Sequence, residues 1–387
     1  MSTPMPETAR SATANPVGTG GRLVSLDVFR GATIASMILV NNPGSWVAVY
    51  PPLRHAVWHG WTFTDLVFPF FLWIVGVAMT LSFAKRVERG DNRLRLFLHT
   101  ARRAAIIFGL GLVLNGFPSF HLATWRIPGV LQRIAVCYLI AGAIFLLTAW
   151  RGQAIWIASL LAGYWMLMKL VPVPGVGAGV LENGANLAQY VDGMVLGNHM
   201  WSQTRTWDPE GLLSTLPAIA TTLFGILAGR LLRSALTAAE KTAWMFFGGN
   251  ALVFAGLVMN VWFPINKNLW TSSYAVFMAG LASIVFACCY WLVDVKGHRG
   301  WSTPFAIYGM NAIAVYILSG AIEVLLDVIH VSVSGPEPVS LHGFLYGHLF
   351  APLASPLNAS LLWAVCCVLL LYAVAYGMYR RKWFVKV

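Results

Sequence analysis

Charge is scarce in this sequence: only 10% of its 387 residues are Asp, Glu, Lys or Arg. A soluble domain carries roughly 25%, so this chain cannot cover two globular domains with polar surface. Cysteine patterning is missing too. Cys137, Cys288, Cys289, Cys366 and Cys367 all fall inside apolar runs, and no CxxC pair occurs. That excludes a disulfide framework or a zinc ribbon, and no metal is expected. The patterns GxxxxGK[ST], HExxH and GxSxG are absent. ATP-driven transport within this chain, zinc proteolysis and the α/β-hydrolase mechanism are thereby set aside. No internal repeat is visible, which argues against a transporter of inverted-repeat design.

Apolar residues are abundant: 58% of the chain is hydrophobic and the mean hydropathy is +0.68. The apolar runs spread evenly from residue 27 to residue 379. Ten of them are long enough to span a bilayer, at about 20 residues and 1.5 Å each. They are 27–43, 64–83, 101–117, 131–149, 153–171, 211–232, 242–262, 271–293, 303–325 and 359–379. The expected fold is all-α, a polytopic membrane bundle of about ten helices. Residues 326–358 are mixed and read as a re-entrant or interfacial segment. Residues 1–21 are polar, lack an apolar signal-peptide core and are expected to form a disordered cytoplasmic tail. Residues 22–387 then form one transmembrane domain.

The net charge of +12 would raise nucleic acid as a partner in a soluble protein. Here the basic residues sit in short loops between apolar runs, so no nucleic-acid partner is expected and the charges read as topology signals. With the N-terminus in the cytoplasm, cytoplasmic loops collect the groups from Lys85 to Arg103, Arg151, those from Arg230 to Lys241, and Lys296 and Arg299. The tail adds Arg380, Arg381, Lys382 and Lys386. The other side holds Arg54, Arg126, Arg133, Lys169, Arg205 and Lys267. This bias places both termini in the cytoplasm. The loops 44–63, 118–130, 172–210 and 263–270 then face outward.

Those outward loops carry most of the unusual chemistry. Between Arg54 and Asp65 lie His55, Trp58, His59 and Trp61. Histidine moves protons near neutral pH, and a carboxylate can fix its tautomer. An interfacial belt of Trp and His is the structural alternative. Asp65 opens an otherwise uncharged span, where an unpaired carboxylate would be costly. Asp27 and Arg30 share a face of the first helix and read as an ion pair or a functional pair. That helix closes on Asn41, Asn42, Pro43 and Gly44, whose freed backbone groups need protein or water. Gln132 and Arg133 head the fourth helix. Asp208 and Glu210 precede the sixth, as N-terminal dipole partners or as ligands. Asn266, Lys267 and Asn268 occupy a short loop, and Asn311 lies within the ninth apolar run as a bridge between helices or a pocket wall.

The blocks RLVSLDVFRG, LVNN, LRHAVWHGWTFTDLVFPFFLWIVG, RIPGVLQRIAVCYL, DPEGLLSTLPAI, NKNLWTSSY and YGMNAIAVY resemble, in this order, the heparan-α-glucosaminide N-acetyltransferase family. The likeness is closest to its bacterial NagX-type transmembrane acyltransferases and covers roughly residues 22–380. The resemblance implies acetyl transfer from cytoplasmic acetyl-CoA to the amine of glucosamine or a related amino sugar. It implies an integral protein of the bacterial inner membrane, in contact with lipid, and a homodimer. His55 matches the family's catalytic histidine, Asn41 the asparagine implicated beside it, and Asp65 the aspartate of the TDLVFP block. On that reading Arg133, Gln132, Lys267, Asn268 and Asn266 are candidates to hold acetyl-CoA. Trp58, Asp208, Glu210 and Asn311 are candidates to hold the sugar. An amino-sugar transporter, or an acyltransferase for another envelope glycan, is the alternative.

Overall fold

Apolar chain in a bilayer must satisfy its backbone groups within each segment, and helices do this at low cost. The computed structural model describes residues 23–332 and 338–385, and almost all of its regular structure is helical. The expected N-terminal tail lies outside the described residues. The helices are α1 Val24–Asn41, α2 Val67–Glu88, α3 Arg93–Gly116, α4 Val130–Leu147, α5 Trp150–Leu170, α6 Leu187–Leu196 and α7 Thr215–Arg233. They continue as α8 Ala238–Met259, α9 Ser272–Tyr290, α10 Thr303–Met310, α11 Ala312–Val328, α12 Leu341–Leu345 and α13 Pro356–Arg380. Nine helices among the described residues are long and apolar enough to cross a membrane, and α10 with α11 makes a tenth span if the pair is counted as one.

The expected span 303–325 is therefore not a continuous helix. Its two halves meet at 81° around Asn311. The Asn311 side chain donates to the carbonyl of Trp383 and accepts from the Val385 amide, so the C-terminal tail claims both ends of its amide. Sequence showed an uninterrupted apolar run because the partners of Asn311 lie more than seventy residues away.

The described part of 326–358 carries an antiparallel strand pair, β1 His330–Val331 and β2 Val339–Ser340, ahead of the short α12. No helix there among the described residues reaches spanning length.

Helix packing depends on small residues, as expected where lipid supplies no hydrophobic drive between helices. A Cβ on Gly76 would meet the Thr222 carbonyl oxygen at 2.0 Å, and one on Gly225 the Trp73 carbonyl oxygen at 2.0 Å, so α2 and α7 touch backbone to backbone. Gly31 of α1 and Gly309 of α10 do the same against Phe305 and Asp27. The spans of α2 and α7 are 67% and 61% buried, against 22% for α8 and for α13, so α2 and α7 form the centre of the bundle. Phe247, Phe254 and Leu369 point outward from the peripheral helices. At the basic end of the bundle Asp27 pairs with Arg30 at 2.6 Å, and Asp294 accepts from the first amides of α1.

Candidate functional site

The polar end of the bundle opposite Asn311 is built from three loops stitched together by side chains. The loop after α1 ends in a 3-10 turn, Phe63–Leu66, that opens α2. Thr62 and Asp65 cap that turn reciprocally: Thr62 N–H donates to Asp65 Oδ2 at 3.0 Å. The Ala56 amide donates to the same oxygen at 3.0 Å. Asp65 is 1% exposed, yet its second oxygen remains available for His55 Nδ1 at 2.6 Å. Tyr274 of α9 donates to the Asp65 carbonyl at 2.6 Å. Asp65 thus holds the backbone that carries His55 as well as the imidazole itself.

Lys267 reaches the same ring, with Nζ 3.3 Å from both imidazole nitrogens. When Nδ1 donates to Asp65, only Nε2 has a free lone pair, so it alone can accept from Lys267. Nearly half of the His55 side chain remains accessible. Burial lowers its pKa below the usual 6.5, and the Lys267 ammonium lowers it further; the hydrogen bond and charge of Asp65 oppose both. Burial also lowers the Lys267 pKa, against the attraction of Glu210 and Asp65.

The loop that presents Lys267 is fixed by its own polar residues. Asn260 Oδ1 accepts from Ile265 N–H, and Asn266 Oδ1 from Leu269 N–H at 2.9 Å. Thr271 Oγ1 caps α9 and accepts from Asn266 N–H. Trp270 adopts φ of +48°, a conformation costly for a bulky residue, and its indole donates to Thr221 at 3.1 Å. Asn266 also places its amide nitrogen 3.4 Å from His59 Nδ1. Asn266 therefore organises this turn, and Asn268 lies half-buried within it.

Gln132 and Arg133 are buried at the head of α4. Arg133 Nη2 donates to the Gly211 carbonyl and to Ser214 Oγ, and its guanidinium lies 5.2 Å from the Trp270 ring centroid. Arg133 Nε and Nη1 and Gln132 Nε2 are buried without a partner. Buried donors are ordinarily satisfied, so these three suit an acceptor-rich guest such as a phosphate or an amide carbonyl. Of the residues expected to hold acetyl-CoA, Arg133 and Gln132 carry donors of this kind, whereas Asn266 uses its side-chain oxygen within its own turn.

Asp208 precedes the sixth span and is bound among the outward loops. It is 1% exposed, it receives Arg126 in a two-point contact at 2.8 and 2.7 Å, and it accepts from the amides of Trp201 and Glu210. It does not cap the sixth span, which begins at Thr215 behind Ser214. Glu210 accepts from Arg126 at 2.7 Å. Burial disfavours the Arg126 cation, but the two carboxylates outweigh it and raise its pKa. Asp192 of α6 accepts from the Leu212 and Asp208 amides, and burial, with Asp208 adding to it, pushes its pKa up to about 6. Trp58 donates to the Leu181 carbonyl at 2.9 Å and packs edge-on to Trp207, which ties the His55 loop to the long loop 172–210.

Asn41 lines a cavity with α11 and α13, and His55 is not among the residues of that wall. Asn311 is bound to the C-terminal tail near the N-terminal half of α1, and its amide is not free for a ligand. Arg126, Asp192 and Tyr274 were not singled out from sequence. For Arg126 a signal existed: two acidic residues two apart in an outward loop require a cation. Tyr274 and Asp192 act through backbone groups of distant segments, which leave no local pattern.

These features define a polytopic helical membrane protein whose polar end holds a carboxylate–imidazole pair beside buried cations. The family model described as heparan-alpha-glucosaminide N-acetyltransferase, catalytic, matches residues 22–259, and the chain belongs to that family. The heparan-alpha-glucosaminide N-acetyltransferase of Homo sapiens is 32% identical over 352 residues, covering 76% of this chain and 52% of the human protein. That of Mus musculus is 31% identical over 371 residues, covering 81% and 54%. The chain spans about half the length of these relatives. His55 and Asp65 fall inside the family match, whereas Lys267 lies beyond its end.

Proposed function

We propose that the protein is a transmembrane N-acetyltransferase of the bacterial inner membrane. It moves acetyl from cytoplasmic acetyl-CoA to the amine of glucosamine or a related amino sugar on the opposite side. The observation that carries this reading is the 2.6 Å contact of His55 Nδ1 with the buried Asp65, inside the family match. Asp65 orients the ring and stabilises its cation, which leaves Nε2 as the reactive nitrogen. A lowered pKa keeps the imidazole neutral at pH 7, as either a base or a nucleophile must be.

Two routes use this geometry. In the direct route Nε2 accepts the proton of the attacking amine as its nitrogen bonds to the thioester carbon and the CoA thiolate leaves. In the two-step route Nε2 itself attacks, CoA thiolate leaves, and the amine then takes the acetyl group from the ring. Lys267 is placed to stabilise the carbonyl oxygen as it gains charge in both routes. Arg133 and Gln132 supply donors for the acyl donor's polar body, and the membrane helices form the passage to the cytoplasmic pool. The apolar outer faces contact lipid, and a homodimer is the assembly that the resemblance implies.

The test is CoA release by the purified protein with acetyl-CoA and glucosamine, beside His55→Ala. Loss of roughly 10²–10⁴-fold is expected; turnover equal to wild type would overturn the assignment of His55. An amino-sugar transporter is the second reading, favoured by the broken α10–α11 span. Glucosamine uptake into vesicles without CoA release would decide for it. Turnover with another envelope glycan in preference to glucosamine would move the acceptor within the same enzyme class.

A further inference from the structure

A second cavity adjoins the polar end, walled by the C-terminal end of α1 and by α11, α12 and α13. It holds about 520 Å³ of empty space, its mouth included. Among the described residues no lysine or arginine lines it, although the chain carries a net charge of +12. Glu323 and Asp327 both do, four residues apart and so on one face of α11. Glu323 has no cation and no hydrogen bond among the described residues. Asp327 Oδ1 lies 3.5 Å from His342 Nδ1, and His342 Nε2 is buried without a partner. Asn42 spends its amide hydrogens on the Ile38 carbonyl and Ser319 Oγ, which leaves its oxygen. The wall therefore offers two carboxylates and an amide oxygen. Trp46, 62% exposed, adds an aromatic face at the cavity.

Acceptors of this kind together with an aromatic face select a cation that carries hydrogen-bond donors. They repel a polyanion such as CoA. Arg133, whose Nε and Nη1 lack partners, and Lys267, on the His55 ring, have the reverse preference. The loop that lines the cavity at Trp46 carries His55 nine residues further on. Asn41, expected beside His55, lines the acidic cavity.

We propose that the cavity between α1, α11, α12 and α13 binds the ammonium form of an amino sugar, with Glu323 and Asp327 as its counter-charges. It serves as an acidic antechamber from which the acceptor passes to His55. The antechamber role rests on the acetyl-transfer reading, while the amine selectivity stands without it.

Calorimetric titration of the full-length protein in detergent with glucosamine, N-acetylglucosamine and glucose tests this. Glucosamine should bind about tenfold more tightly than either neutral sugar, and Glu323→Gln and Asp327→Asn should each weaken it about tenfold, the scale of one lost bond to a charged group. Both variants should elute and melt as wild type and keep their affinity for CoA. His55→Ala should bind glucosamine as wild type does, with transfer abolished. Equal affinity for glucosamine and N-acetylglucosamine would overturn the site, as would unchanged glucosamine binding by the Glu323→Gln, Asp327→Asn double variant. Amine-selective binding in a wild type that transfers no acetyl group would remove the antechamber role alone.

Discussion

Asp65 and Lys267 act on the same imidazole with opposite sign. The carboxylate favours the protonated ring, whereas the ammonium, adding to burial, disfavours it. Activity needs neutral His55, so it should rise with pH through an inflection below the usual 6.5. Lys267→Met removes one lowering influence and should move this acidic limb of kcat/KM upward. Asp65→Asn removes the raising influence and should move the limb downward while lowering the plateau, because the tautomer is no longer enforced. A pH–rate series on the three proteins checks the signs. Shifts in the same direction for both variants would contradict the geometry. Part of this was legible. Asp65 stood out as a lone carboxylate opening an apolar span, and His55 through the family likeness. Lys267 was named only as a donor to acetyl-CoA. Its contact with His55 spans 212 positions and could not be read locally.

At the scale of elements, glycines decide which helices approach closely. A Cβ on Gly31 would lie 1.7 Å from the Phe305 carbonyl oxygen, so α1 and α10 cross with nothing between their backbones. Backbone cannot give way as a flexible side chain can. Gly31→Ala should destabilise the protein by roughly 1–3 kcal/mol, seen as a lower midpoint in detergent melts. Gly163→Ala on α5 meets no atom within 4 Å. It should be neutral or stabilise by up to ~1 kcal/mol through helix propensity. Equal melting of the two variants would remove the argument. The expected spans reappear with ends shifted by a few residues, because length and apolarity alone determine a helix in lipid. The break at Asn311 was invisible for the reason that it depends on the tail. The partner of Asp208 was hidden for a similar reason: Arg126 comes from another loop.

For the whole molecule, sidedness is the property on which the transfer reading depends. The basic clusters predict that the His55 loop faces away from the cytoplasm and the α2–α3 turn faces it. In a background without the five native cysteines, Val57→Cys is 98% exposed at its site and should react in intact cells with a membrane-impermeant maleimide. Arg95→Cys, at a position whose side chain is 74% exposed, should react only after permeabilisation. The reverse pattern would invert the protein and put His55 on the side of the acetyl-CoA pool.

Sequence by itself determined the membrane class and the number of apolar spans. It also set His55 and Asp65 ten positions apart in one segment, where a contact is within reach of a folded loop. These follow from composition and short-range chain geometry. Only the tertiary structure decided that Lys267 lies on the imidazole, that Arg126 secures Asp208 and Glu210, and that Asn311 bends a span around the C-terminal tail. It also decided that Glu323 and Asp327 line a cavity without lysine or arginine among the described residues. These placements are set by which helices and loops meet, and those meetings are fixed by backbone contacts at glycines and side-chain bonds hundreds of positions apart.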